Sequence, residues 1–198
     1  MPLQNRVNPF GQLVATAARG GWMGNRGLLH DGQQRILRPF RLKAWLICVL
    51  HFKDRRRTVM SPGLYTELFF LDEATALAAG HRPCAECRRA DYLHFKASAA
   101  AGRGVAFSKA AEMDLVLHEE RLDAAGGKRT WRAPTKDLPD GAFISRDGEP
   151  WLKRNGRLNR WTASGYAESV AAGTGEADVL TPRLTVDALR AGYAPQMK

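Results

Sequence analysis

Apolar positions fall into short runs separated by glycine, proline and charge, and the periodicity of the runs changes along the chain. Trp45 to Phe52 reads Trp-Leu-Ile-Cys-Val-Leu-His-Phe, a β-rich run of the kind that forms a buried strand. A charged turn, Lys53-Asp54-Arg55-Arg56-Arg57, follows it, with Thr58 and Val59 opening a return strand. Leu64 to Leu71 is a second apolar, aromatic run, after which Asp72 is placed to cap a helix over Glu73 to Ala79 that Gly80 ends. Helical composition returns from Ala90 to Ala101, with Gly102 as the stop, and from Ala110 to Leu122, where Met113, Val116 and Leu117 share one face.

Beyond Ala124-Ala125-Gly126-Gly127-Lys128, read as a linker, the period changes to two. Ala142 to Arg146, Trp151 to Arg154 and Arg157 to Thr162 are strands, divided by Asp147-Gly148 and Asn155-Gly156, dipeptides that suit two-residue hairpin turns. A three-stranded meander is the simplest arrangement. The segment Val186 to Pro195 reads as one more short helix with a glycine stop. Near the amino terminus, Gly20-Gly21-Trp22-Met23-Gly24-Asn25-Arg26-Gly27 lacks the Gly-Lys-Ser/Thr of a phosphate loop and reads as a turn between short strands. The fold class that results is α+β: a small mixed module with short helices over residues 1–125, then a basic antiparallel β-meander module over 126–198, the two able to pack as one domain.

Two of the three cysteines stand at Cys84-Ala85-Glu86-Cys87, the separation at which one knuckle turn grips a metal. A redox pair has the same spacing but sits where a strand enters a helix, usually behind an aromatic and Gly-Pro, whereas here a helical run ending at Gly80 precedes the pair. Zn2+ is therefore the expected cofactor. The odd cysteine count argues against a secreted disulfide framework. No run of eighteen apolar residues is present, and Met1-Pro2-Leu3-Gln4-Asn5-Arg6 lacks the apolar core of a signal peptide, so a cytoplasmic protein with no membrane partner is expected.

The segment Phe69-Phe70, Asp72 to Ala79, Gly80-His81-Arg82-Pro83-Cys84 and Cys87-Arg88 resembles the metal-binding domain of the Ada DNA-repair family, a module also appended to some nucleases. The likeness spans residues 69–88. It implies a zinc-stabilised fold and a role on DNA, with an upstream thiolate drawn from the region before the aromatic pair. Where the family pattern has two upstream cysteines, this chain has Cys48 alone. Cys48 is thus either the third ligand or a small buried hydrophobe on a strand face shared with Leu46, Leu50 and Phe52. For the fourth ligand His30, after Gly24-Asn25-Arg26-Gly27-Leu28-Leu29, is the first choice, and His51 the alternative, although a residue three beyond Cys48 on a strand points to the opposite face.

Thirty Lys and Arg against twenty Asp and Glu give a net charge of +10, a field that favours polyanions. Nucleic acid, DNA before RNA, is the expected partner. The candidate contacts are Arg55, Arg56 and Arg57 on the charged turn, Arg82, Arg88 and Arg89 around the knuckle, and Lys153, Arg154, Arg157 and Arg160 on the meander beside Trp151 and Trp161. The rival reading is a metal-dependent nuclease, with His118 and Asp114 four apart on one helix and Glu67, Asp31 and Asn25 near strand ends as candidates. Less favoured are a cysteine-based alkyl acceptor and an adaptor protein.

Overall fold

The computed structural model describes residues 1–54 and 58–198. Among the described residues, two six-stranded sheets and four α-helices make an α+β fold. The first sheet comprises β1 (Arg6–Val7), β2 (Leu13–Val14), β3 (Trp22–Asn25), β4 (Leu46–Cys48), β5 (Leu68–Phe70) and β6 (Arg82–Pro83), in the order β2-β1-β5-β3-β4-β6. Two of its pairings are parallel, β1 with β5 and β4 with β6. The second sheet is antiparallel throughout: β7 (Trp131–Pro134), β8 (Phe143–Arg146), β9 (Glu149–Arg154), β10 (Arg157–Thr162), β11 (Gly165–Ala171) and β12 (Glu176–Val179), in the order β11-β10-β9-β8-β12-β7.

The meander at β8, β9 and β10 is where the sequence places it. Its turns have positive φ at Asp147 (54°) and Gly148 (76°), and at Asn155 (51°) and Gly156 (70°), the double left-handed step that matches strand twist. β11 extends the meander, and β12 and β7 close its other side.

Helix α1 (Glu73–Ala78) starts where Asp72 Oδ1 accepts a bond from the Thr75 N–H at 2.9 Å. It ends at Gly80, whose φ of +93° an L side chain rarely adopts; a Cβ there would also stand 2.5 Å from the Arg121 side chain. Helix α2 (Arg89–Arg103) runs past Gly102, the residue read as its stop, and ends at Gly104 in the left-handed conformation. Gly102 is a crossing point instead. A Cβ on it would come within 2.3 Å of the Asp187 carbonyl of α4 (Arg183–Arg190), so only glycine lets the two helices approach. Helix α3 (Ala110–Arg121) completes the set.

The strand read from Trp45 to Phe52 is shorter than its apolar run. Regular pairing stops at Cys48, and Leu50 is exposed, so Leu46, Cys48, Leu50 and Phe52 do not form one buried face. Thr58 and Val59 start no strand; Met60 turns the chain with φ of 56°. Residues 124–128 are a tight turn rather than a linker, bridged back to Leu122 by Lys128.

One apolar core runs through both sheets, from Val7, Ile47, Leu68 and Phe70 through Phe95 and Leu117 to Ile144, Trp151, Val179 and Tyr193. Helix α1 sits between them. Asp72 Oδ2 accepts from the Tyr166 hydroxyl (2.7 Å), Thr75 Oγ1 accepts from the Trp161 indole N–H (3.0 Å), and Glu73 Oε1 accepts from the Tyr193 hydroxyl (2.5 Å). Among the described residues no helix is long and apolar enough to cross a membrane.

Candidate metal centre

Register puts the thiols together. β4 pairs with β6 in parallel, Leu46 opposite Arg82 and Ile47 opposite Pro83, so the next residue on each strand is a cysteine, Cys48 beside Cys84. The Cys84 N–H donates to the Ile47 carbonyl at 2.9 Å and fixes that end. The chain then turns tightly, with the Arg88 N–H returning to the Cys84 carbonyl at 3.1 Å, and the turn brings Cys87 back over the same point. The three Sγ atoms all lie within 4.8 Å of one another, the one such group of metal-ligating side chains among the described residues. Sulfurs bound tetrahedrally to one zinc stand about 3.8 Å apart, a spacing within that limit.

Backbone N–H groups point at the sulfurs. Glu86 N–H donates to Cys84 Sγ at 3.4 Å, and the Cys87 and Val49 N–H groups reach Cys84 and Cys87. The Cys84 thiol is pulled down to about 5, first by the Cys48 thiol donating to it and then by these N–H groups, against the opposing effect of burial. Cys48 moves the other way, pushed up by its bond to Cys84 and by burial. A metal ion bound here would take the sulfurs as thiolates, so its binding would release the protons that remain on them. Three sulfurs fill three of four tetrahedral positions.

His30, the expected fourth ligand, lies outside the thiol group. Its ring is buried and engaged elsewhere, Nδ1 at 2.6 Å from Thr66 Oγ1 and Nε2 at 3.3 Å from the Ser61 carbonyl. His51 is exposed and outside the thiol group. His81, inside the fold, receives Arg26 Nε–H at Nε2 (3.1 Å) and lies 3.2 Å from the Ala76 carbonyl through Nδ1.

No protein-family model, curated protein or solved structure matches this chain.

The basic residues around the knuckle divide sharply. Arg82 is buried in a two-pronged ion pair with Asp114, Nε to Oδ1 at 2.8 Å and Nη2 to Oδ2 at 2.7 Å. Arg88 is buried against Glu73 at 2.8 Å, bonds Asp91 at 2.9 Å, and lies 4.0 Å over the Trp22 ring. Neither faces solvent, so neither can meet phosphate. Arg89, one residue on, is exposed. On the meander Lys153 is buried and donates to the Lys136 (3.2 Å) and Leu138 carbonyls, and Arg160 is held between Glu149 and Glu168 at 3.4 Å each. Arg157 is exposed on Ser169, and Arg154 is half-buried against the Lys198 carbonyl. Trp151 is core, and Trp161 is half-buried on Thr75. Arg55, Arg56 and Arg57 lie outside the described residues.

The candidates for catalysis are not brought together. Asp114 is the buried counter-ion of Arg82; His118 Nδ1 is 2.9 Å from Arg121 Nη2, its ring edge-on to Phe40. Burial and the Arg121 charge hold His118 below its ordinary range. Glu67 Oε2 accepts from the Met60 N–H, Asp31 closes a local turn on Gln33 and Arg35, and Asn25 Oδ1 accepts from the Gly27 N–H. Sequence reasoning misses Glu73 and Trp22, which position Arg88 beside the knuckle, because no spacing in the chain links them to it.

Proposed function

We propose that this is a zinc-stabilised nucleic-acid-binding protein that acts on DNA in repair or processing. The observation that carries the reading is Cys48 lying beside Cys84 and Cys87, the upstream thiolate that the Ada resemblance implies. Cys48, Cys84 and Cys87 hold the ion, and the fourth position falls to His51 or to solvent. The metal ties β4, β6 and the start of α2, and Arg89 extends from that corner. Together with Arg154, Arg157 and a net charge of +10 it supplies the field for a phosphate backbone. The nuclease alternative loses support because Asp114 and His118 are spent on neighbouring arginines.

Two measurements test the proposal in sequence. Elemental analysis of tag-free protein is expected to give one zinc per chain, lost with Cys48→Ser; absence of zinc overturns the metal assignment. Fluorescence anisotropy with duplex and single-stranded DNA is then expected to show binding that weakens linearly with log salt. Replacing Arg89, Arg154 and Arg157 by Ala should flatten the slope by about 0.9 for each duplex phosphate no longer neutralised, or about 0.7 on single strands. A parent protein without measurable binding at physiological salt refutes the DNA reading and moves the adaptor class ahead.

A further inference from the structure

At the opposite end of the β4/β6 pair from the cysteines, three cations converge without a carboxylate between them. Arg26 is fully buried, and every partner it has is neutral: Nε donates to His81 Nε2 (3.1 Å), and Nη1 to the Gly11 (2.9 Å) and Pro39 (3.3 Å) carbonyls. Arg121, 1% exposed, donates to the Gly80 (3.0 Å) and Lys43 (2.6 Å) carbonyls and approaches His118 Nδ1. Lys128 Nζ donates to the Ala78 carbonyl. Both guanidinia lie over the Trp45 ring, at 3.7 and 3.9 Å from its centre. Asp114 offsets part of the Arg121 charge without pairing to it, and the hydrogen bonds of Asp114 and Asp123 go to other partners. Asp114 is matched to Arg82, and Asp123 in the adjoining turn is exposed and accepts from the Ala125 and Gly127 N–H groups of its own loop.

Like charges buried together repel strongly, and proteins rarely keep buried cations without a partner. Here burial, with the Arg121 charge beside it, holds Arg26 well below its ordinary range; burial draws Arg121 down to about 9, with Asp114 opposing and Arg82 adding to the effect; and burial, followed by the Arg26 and Arg121 charges, draws Lys128 down to about 7. All three residues line one cavity of about 240 Å³, and Phe10, Gly11 and Trp45 are among the other residues of its wall. Two donors on its cations are unused among the described residues: Arg26 Nη2 and Arg121 Nε. Arg26 Nη2 faces the Gly11 side, 3.7 Å from where a side chain on that glycine would begin.

We propose that this cavity binds a phosphate group carried by a small phosphomonoester or by a nucleic-acid end. The charge calls for a dianion, and a tetrahedral phosphate has enough acceptor oxygens for two guanidinia and an ammonium at once. The volume falls below the range usual for pockets that enclose drug-sized ligands, so the anionic head enters and the rest of the ligand stays outside. Trp45 already carries two guanidinia, which makes it part of the cation scaffold instead of a stacking platform for a base. Neither the cysteines nor Arg89, Arg154 and Arg157 take part, so the cavity is independent of the DNA proposal.

Inorganic phosphate is the first probe, titrated against chloride at constant ionic strength with thermal unfolding and phosphorus-31 line broadening as readouts. Saturable stabilisation with line broadening is expected, and Lys128→Met, at the rim of the cluster, should weaken it about tenfold, the loss of roughly one charge-assisted hydrogen bond. Arg26→Met is the second variant, read by line broadening on folded protein. No saturable response up to about 10 mM phosphate, well beyond the millimolar limit of a weak specific site, overturns the proposal, as does a response that chloride reproduces or that both variants leave unchanged. Competition by a 5′-phosphorylated oligonucleotide but not its 5′-hydroxyl counterpart assigns the group to nucleic-acid ends; competition by neither assigns it to small phosphomonoesters.

Discussion

Replacing Asp114 by Ala separates a structural role from a catalytic one. Its two oxygens receive Arg82 at 2.8 and 2.7 Å, and the side chains are 8% and 4% exposed, so the variant strands a buried guanidinium that has no second carboxylate bonded to it among the described residues. Breaking a buried pair in this way costs about 3–5 kcal/mol, against about 0–1 for an exposed one. For a chain of this length that lowers Tm by roughly 6–20 °C. Arg121 adds to the penalty, because Asp114 also offsets its charge. The assay is urea unfolding of the parent and Asp114→Ala proteins beside Arg82→Met/Asp114→Leu, in which both charges are gone; the double variant should recover most of the loss. Arg82 stands two residues before Cys84, so the single variant should also release zinc to a chelator sooner. A loss below about 1 kcal/mol for Asp114→Ala would refute this account, and a gain in stability would restore Asp114 as a candidate catalytic group, since active-site carboxylates are commonly held at a cost to folding.

Three further outcomes are expected. Tyr193→Phe removes the hydroxyl that donates to Glu73 and should cost about 1.5–3 kcal/mol in chemical unfolding, the range for a hydrogen bond to a charged group. Gly156→Ala forces a side chain into a turn position with φ of 70° and open space around it, so the cost is backbone strain of about 1 kcal/mol, visible as a Tm drop with unchanged zinc content. Burial, with the Arg26 and Arg121 charges beside it, gives Lys128 a folded value near 7, below its unfolded value; the unfolded chain therefore binds more protons, the penalty is complete below about pH 7, and it lifts as pH rises toward the unfolded value. Stability of the parent relative to Lys128→Met should accordingly climb between pH 7 and 9 in phosphate-free buffer, and a flat difference would remove Lys128 from the cation cluster.

Local chemistry is readable from the chain and long-range charge is not. Asp72, Gly80, Asp147-Gly148 and Asn155-Gly156 act through backbone conformation within a few residues, so their roles can be seen in sequence. The cysteine knuckle is equally local, and Cys48 joins it through a resemblance. Arginine, by contrast, looks the same whether it is solvated or buried. Arg82 and Arg88 read as a nucleic-acid surface because nothing near them shows Asp114, 32 residues on, or Glu73 as a partner. Gly102 has the signature of a helix stop, and only the path of α4 makes it a crossing point. His30 follows a suggestive Gly-Asn run, yet its place depends on Thr66, which no periodicity connects to it.

The parallel pairing of β4 with β6 also bears on the order of events during folding. Residues 46 and 82 are held together only after 35 intervening residues have closed, and parallel registers of that span form slowly compared with helices and hairpins. The Cys84-Cys87 turn is local and can meet a metal ion early, through two sulfurs. Cys48 arrives with the strand, so under the zinc proposal the third bond to the ion would form at the moment the sheet closes. Metal capture and closure of the first sheet are then one kinetic event, and the rate at which an added ion becomes resistant to a chelator is a clock for that closure.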